Sequence, residues 1–196
     1  MLCSADLPYT HHLRDAANPV AKLFHGKVEL IGAGALLRFN AGGKVQHMLH
    51  RLKYKGDRHI GLGLGRMMGQ AAKESPLFAT VDTVMAVPLH RRKERQRGYN
   101  QAQLLADGLR EVWPLKAPDH KLLRMVQTAT QTQRGRLERW SNVRGAFSLG
   151  EADELSNAHV LLVDDVVTTG ATLESCALAL LGRPGVRVSV LTAAHA

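Results

Sequence analysis

Two adjacent carboxylates, Asp164 and Asp165, precede a short run of hydroxyl and glycine residues, Thr168-Thr-Gly-Ala-Thr172. Threonine hydroxyls and the free N–H groups at the start of a helix favour a bound anion, and a glycine lets the backbone approach it closely. Carboxylates repel that anion, but they accept hydrogen bonds from sugar hydroxyls or hold a metal through water. An acid pair beside an anion-binding loop therefore predicts a site for a ribose 5-phosphate.

The elements on either side of this run are predicted by their apolar patterns. The residues before the acids, Val160 to Val163, are all apolar, which is typical of a strand buried on both faces of a parallel sheet. After the loop, Leu173, Ala177 and Leu181 recur at helical spacing. The prediction is strand, tight loop and helix. The alternative is a strand that ends in a solvated Asp-Asp turn, followed by a helix with a threonine cap.

A second strand is predicted over residues 80–87, and the most basic stretch of the chain, residues 88–101, follows it as a predicted loop. Ligands of open parallel sheets collect at the carboxyl ends of strands. The cations of this stretch suit a pyrophosphate, a nucleic acid or plain solvation, and their density favours anion binding. A helix is predicted to begin near Asn100.

Composition indicates one globular domain with a basic surface. Hydrophobic residues make up 45% of the chain, and the formal net charge of +9 suits a polyanionic ligand or simply a basic, soluble surface. Two cysteines are too few for a disulfide scaffold or a four-cysteine zinc site. We expect no membrane span, because no apolar run has the required length. The N-terminal residues lack a basic segment followed by an apolar core, so we expect a cytoplasmic protein.

Three segments of the chain together resemble the ComF family, also called the competence protein F or amidophosphoribosyltransferase-like group. They are His50–Asp57, Val87–Gln101 and Val160–Thr172. The resemblance covers nearly all of the chain from about residue 45 onward. It implies an α/β type I phosphoribosyltransferase fold, in which helices flank a central parallel sheet beneath a small N-terminal hood. Residues 1–44 would be a lead-in and hood, and residues 45–196 the phosphoribosyltransferase domain.

Many members of this family begin with a four-cysteine zinc ribbon. Here only Cys3 remains, in a segment that looks like the tail of such a ribbon. We therefore expect no zinc and predict no metal ligands on the chain. Magnesium is expected only as a cation carried by the substrate.

The resemblance also implies roles for residues around 5-phosphoribosyl-1-pyrophosphate (PRPP). Asp164 and Asp165 would be the catalytic pair that holds the ribose hydroxyls. The loop that binds the 5-phosphate would comprise Val167, Thr168, Thr169, Gly170, Ala171 and Thr172. The residues that bind pyrophosphate would be Pro88, Leu89, His90, Arg91 and Arg97. A flexible loop over residues 127–139 would close on PRPP, with Thr130, Gln131 and Arg139 as its site residues.

The leading functional prediction is transfer of the 5-phosphoribosyl group to a nitrogen nucleophile with release of pyrophosphate. No side chain is an obvious base for the acceptor, and the resemblance does not identify the acceptor. The alternative is a non-catalytic PRPP-binding protein, or an accessory protein that handles single-stranded DNA in natural competence. Binding of single-stranded DNA should be weak and steeply salt-dependent, because Tyr99 is the only aromatic residue near the basic cluster in the sequence.

Overall fold

The computed structural model describes residues 6–118, 122–124, 147–149 and 155–196. Its centre is a four-stranded, all-parallel sheet with strand order β1-β6-β5-β2. The predicted α/β fold with a central parallel sheet is confirmed. The strands of this sheet are β1 (Ala33–Arg38), β2 (Thr83–Ala86), β5 (His159–Val167) and β6 (Arg187–His195). A separate antiparallel pair consists of β3 (Leu122–Arg124) and β4 (Phe147–Leu149).

Helices pack on both faces of the sheet. The helices of the described part of the chain are α1 (Pro19–Lys22), α2 (Lys44–Tyr54), α3 (Arg58–Lys73), α4 (Arg91–Arg97), α5 (Gln101–Arg110) and α6 (Ala171–Leu181), of which α4 is exposed. The interior strand β5 divides the apolar core, because Leu161 and Val163 pack with residues of α2, α3 and α5, whereas Val160 and Leu162 pack with residues of α6. Alternating residues of a strand point to opposite faces, so a strand covered on both sides is apolar throughout. Among the described helices, none is both long and apolar enough to cross a membrane.

Helices α3 and α5 pack closely against each other because glycines bring them together, and α5 packs on β2 and β5 while α3 contacts β6. A Cβ placed at Gly65 would lie 2.2 Å from the Leu105 carbonyl oxygen. A Cβ at Gly108 on the facing helix would lie 2.2 Å from the Leu62 carbonyl oxygen. Any larger residue at these positions would push the helices apart. The chain segment that follows β2 therefore continues from a strand that is covered by closely packed helices.

The N-terminal segment contributes directly to the main sheet. Strand β1 pairs in parallel with β6, with Ala33 opposite Val190. The buried Asn18 side chain caps α1 and donates a hydrogen bond from Nδ2 to the Ala33 carbonyl at 2.7 Å, which ties the lead-in to this edge strand. The domain boundary after residue 44 stays a prediction. Cys3 lies outside the described residues.

The basic stretch after β2 differs from the prediction of a loop, because residues 91–97 form helix α4. His90 caps the helix, since its Nδ1 accepts the Arg92 N–H at 3.2 Å. Gly98, with φ of 79°, ends it in the left-handed conformation. None of the residues of α4 is buried. Without an apolar stripe the segment carries no periodic signal, so only its caps could have indicated a helix.

Candidate functional site

The loop after β5 has the predicted order of strand, loop and helix. Strand β5 extends to Val167, so the two acids lie inside the strand near its carboxyl end. Helix α6 begins at Ala171, and Gly170 precedes it with φ of 78°. The N-terminal N–H groups of α6 therefore face the loop that carries Thr168 and Thr169. The first turn of α6 also carries Glu174, whose negative charge interacts favourably with the helix dipole.

Gly170 is required for a second reason besides its positive φ. A Cβ at this position would lie 3.1 Å from Cε1 of Phe24, which is buried just after α1. The lead-in therefore packs directly behind the loop. Because both the backbone conformation and the space are restricted here, the shape of the loop is fixed by packing.

The loop encloses a small notch of about 60 Å³. Its lining consists of Asp164 and residues 166–173. All the residues predicted to bind a 5-phosphate lie in this lining, next to one member of the acid pair. The structure thus brings the predicted phosphate loop together with Asp164, whereas Asp165 does not line the notch.

The two carboxylates have different environments. Asp164 lines the notch, and its Oδ1 accepts the Asp165 backbone N–H at 2.8 Å. Asp165 is buried, with 4% of its surface exposed. Loss of hydration and the adjacent Asp165 carboxylate raise the pKa of Asp164 well above its usual value of 3.8, and the nearby Lys53 ammonium opposes that shift. Burial and the neighbouring carboxylate therefore disfavour the charge of Asp164, and a nearby cation favours it.

Lys53 is that cation, and no sequence pattern assigned it a role. Its Nζ lies 2.5 Å from Oδ2 of Asp165. Apart from this ion pair, no hydrogen bond from the described part of the chain reaches Oδ2. Lys53 belongs to the segment His50–Asp57, which contributed to the family resemblance. That membership was the only signal that could have drawn attention to it.

The predicted pyrophosphate residues begin at the carboxyl end of β2, at the same edge of the sheet as the acid pair. Strand β2 pairs in parallel with β5, with Ala86 opposite Val163. The segment that joins β2 to α5 is held in place by Asn100. Its side chain caps α5 and donates a hydrogen bond from Nδ2 to the Val87 carbonyl at 3.0 Å. Pro88, Leu89 and Arg91 also line a larger cavity of about 420 Å³ beside α5, but none of the residues 164–173 lines it. That cavity is therefore separate from the notch.

A basic groove of about 360 Å³ lies between the end of α2 and α4. It is lined by Lys53, Tyr54, Gly56, Lys93, Gln96 and Arg97. The Arg97 guanidinium carbon lies 5.6 Å from the centre of the Tyr54 ring, and Tyr54 is 68% exposed. Because Lys53 also contacts Asp165, this basic groove adjoins the acid pair.

Tyr99 is the only aromatic residue near the basic cluster in the sequence, but in the structure Tyr54 lies beside the cluster as well. Tyr54 comes from another element and reaches Arg97, a contact that no local sequence pattern could reveal. Tyr99 itself is engaged elsewhere, since its hydroxyl donates to the Leu52 carbonyl and Arg58 lies over its ring.

The remaining predicted site residues, Thr130, Gln131 and Arg139, lie outside the described residues. Within the part of the chain that the structure describes, no group of three or more His, Cys, Asp or Glu side chains is placed to hold a metal ion. The described candidate site thus consists of an acid pair, a loop predicted to bind an anion, and a set of cations.

A parallel sheet whose interior strand carries an acid pair and leads into a helix N-terminus defines an α/β protein with a type I phosphoribosyltransferase-like fold. Comparison with known proteins gives the family: the chain belongs to the ComF family. No protein-family model matches the chain.

Three relatives illustrate this membership. The chain is 32% identical over 146 residues, or 73% of its length, to the DNA utilization protein YhgH of Salmonella typhi. It is 32% identical over 130 residues, or 64% of its length, to competence protein F of Haemophilus influenzae. It is 29% identical over 142 residues, or 70% of its length, to competence protein ComFC of Bacillus subtilis. The matches span 63%, 57% and 53% of these relatives, respectively.

Proposed function

We propose that this protein binds PRPP at the carboxyl end of β5 and transfers its 5-phosphoribosyl group to a nitrogen nucleophile. The observation that carries the proposal is the notch in which Asp164 and residues 166–173 share one lining. The amides and threonine hydroxyls of the loop suit the 5-phosphate, and the acid pair suits the ribose hydroxyls. A ribose 5-phosphate is a ligand that contains both groups.

In the proposed reaction, a nitrogen lone pair forms a bond to ribose C1 while the bond from C1 to the pyrophosphate oxygen breaks. The electron pair of that bond leaves with pyrophosphate, and the acceptor nitrogen releases its proton to solvent. The Asp164 and Asp165 carboxylates orient the ribose and stabilise the positive charge that develops on it. The cations after β2, including Arg91 and Arg97, balance the leaving charge, together with the magnesium that PRPP carries.

The biological setting that we propose is natural competence or the use of DNA. Its support is that the relatives carry the names competence protein F, competence protein ComFC and DNA utilization protein YhgH. PRPP chemistry is one of two activities that fit this setting.

The test measures the binding of PRPP first and the release of pyrophosphate second. Calorimetry should give saturable binding of PRPP with magnesium, and weaker binding of ribose 5-phosphate, which lacks the pyrophosphate. Pyrophosphate release should then be followed with ammonia, amines and nucleobases as candidate acceptors. Absence of PRPP binding at millimolar concentration would overturn the proposal, whereas binding without pyrophosphate release from any acceptor would favour a non-catalytic role.

The second candidate is an accessory protein that handles single-stranded DNA. The observation that favours it is the basic groove, where the exposed Tyr54 ring lies beside Arg97 and Lys93. Aromatic rings stack on bases, and cations follow the phosphate backbone, so this combination suits a single strand. Binding of an oligonucleotide to the groove without pyrophosphate release from PRPP would support this candidate over the first.

A further inference from the structure

Lys53 stands between two regions of opposite charge. Its ammonium lies 2.5 Å from Oδ2 of the buried Asp165, and its side chain is 23% exposed. It also lines the basic groove together with Lys93 and Arg97 of α4. Helix α4 begins and ends with Arg91 and Arg97, two of the residues predicted to bind pyrophosphate. Lys53 therefore has the Asp165 carboxylate on one side and, on the other, the basic groove, which attracts anions.

In the free protein, the ion pair with Lys53 stabilises the buried charge of Asp165. Oδ2 of Asp165 has no hydrogen-bond partner from the described residues, so the ammonium is what compensates it there. A buried carboxylate without a countercharge is strongly unfavourable. Under the proposed function, the same carboxylate must accept a ribose hydroxyl. The ammonium therefore occupies a position that the substrate needs.

We propose that Lys53 is a substrate-binding residue that changes partners when PRPP binds. In the free protein, its ammonium neutralises Asp165. In the complex, the ammonium turns toward the pyrophosphate, while ribose hydroxyls donate to Asp165 in its place. The inference rests on the proposed function and adds a basis for specificity: a ribose 5-phosphate without pyrophosphate offers Lys53 no new anion, so it must compete with the ion pair.

The experiment compares two ligands across matched variants. PRPP with magnesium and ribose 5-phosphate are titrated calorimetrically into the wild type, Lys53→Met, Lys53→Arg and Lys55→Met. Lys55→Met is the control, because Lys55 is exposed, lies two residues further along, and loses the same charge. Circular dichroism and thermal unfolding of the free proteins establish that each variant is folded.

We expect Lys53→Met to weaken PRPP binding at least tenfold while ribose 5-phosphate binding changes less than twofold or becomes tighter. Lys53→Arg should restore most of the PRPP affinity, and Lys55→Met should match the wild type for both ligands. If Lys53→Met does not fold, Lys53→Gln replaces it, because its amide can still donate to Asp165 but cannot neutralise pyrophosphate. The same selective loss is expected for it.

The outcomes separate this inference from the proposed function. If the wild type fails to bind PRPP, both are overturned. If the wild type binds PRPP but the Lys53 variants lose both ligands equally, Lys53 has only a structural role and this inference alone is overturned. Unchanged binding of both ligands in Lys53→Met also overturns it and leaves the proposed PRPP site standing.

Discussion

The carboxyl ends of β5 and β2 lie at one edge of the sheet but are built in different ways. The β5 end is set by packing, since Asp165 is buried against Lys53 and Gly170 packs against Phe24. The β2 end continues into α4, in which none of the residues is buried. Packed groups recognise shape and remain effective in salt, whereas exposed charges attract any anion and are screened. The difference predicts that selectivity comes from β5 and general anion attraction from β2.

The strongest test of this comparison removes the acid pair. Asp164→Asn combined with Asp165→Asn should abolish most of the thermal stabilisation that PRPP and magnesium give to the wild type. Two charge-assisted hydrogen bonds are each worth about 1.5–3 kcal/mol, so the upper bound is roughly 3–6 kcal/mol. A ligand at a hundred times its Kd stabilises by only about 2.7 kcal/mol, so a hundredfold loss of affinity would remove the shift.

Only the ligand-induced difference is informative in this experiment, because removing two like charges also changes the stability of the free protein. Circular dichroism must first show that the double variant is folded. A folded double variant with the wild-type shift across a PRPP titration would mean that this end of β5 is not the ribose site.

The next test addresses the loop itself. Gly170→Ala should lower the free energy of unfolding by about 1–3 kcal/mol, because alanine is strained at positive φ and its Cβ would crowd Phe24. The control is Gly42→Ala, since Gly42 has φ of 72° and a Cβ placed there would have no atom within 4 Å. Urea unfolding of both variants measures the difference, and equal losses would show that the contact with Phe24 contributes nothing.

Much of this fold could be predicted, because buried strands and helices carry apolar residues at regular spacing in the sequence. The apolar run Val160 to Val163 and the glycine before α6 specify the strand, the loop and the helix in order. Helix α4 could not be predicted in the same way, since an exposed, charged helix has no apolar stripe and is marked only by His90 and Gly98 at its ends. Its formation depends on capping, which is a weaker signal than burial.

The site was predicted where its residues are neighbours in sequence and missed where they meet through space. Asp164, Asp165 and the loop are contiguous, so their types alone indicate the chemistry. Lys53 reaches Asp165 only because α2 packs on the face of the sheet toward which that carboxyl points. Tyr54 likewise meets Arg97 across two helices. Neither contact has a spacing that a single sequence reveals.

A smaller effect is expected at the β2 end. Tyr54→Ala should weaken binding of a short single-stranded oligonucleotide by about 1–3 kcal/mol, the usual value of one stacked base, without changing the slope of log affinity against log salt. Lys93→Gln with Arg97→Gln should instead make that slope shallower. Fluorescence anisotropy over a range of salt concentrations measures both quantities.

Tyr9→Ala is the matched control for this prediction, because Tyr9 is also exposed, at 44%, but lies in the lead-in beside Leu37. It should leave both affinity and slope unchanged. Oligonucleotide binding that Tyr54→Ala does not weaken would mean that no base stacks in the basic groove, and the second candidate function would lose its main support.

The smallest effect concerns the charge of Asp164. Its pKa is raised in the folded protein, so between the usual value of 3.8 and the raised pKa the folded state binds more protons than the unfolded state. The contribution of Asp164 to stability must therefore fall as pH rises through that window, by at most about 1.4 kcal/mol per pH unit. Asp164→Asn lacks this contribution. The free energy of unfolding of the wild type minus that of Asp164→Asn should decline with rising pH.

The subtraction matters because other groups titrate in the opposite sense. Burial lowers the pKa of His12 and of His159, so each contributes stability that is present above the usual value of 6.5 and lost as pH falls through the lowered pKa. Neither histidine is among the groups that shift the pKa of Asp164, so both contributions should cancel between the two proteins. Urea unfolding at a series of pH values measures the difference. A difference that stays flat would contradict this prediction, since it would show that burial and the adjacent Asp165 carboxylate do not raise the pKa of Asp164 in the folded protein.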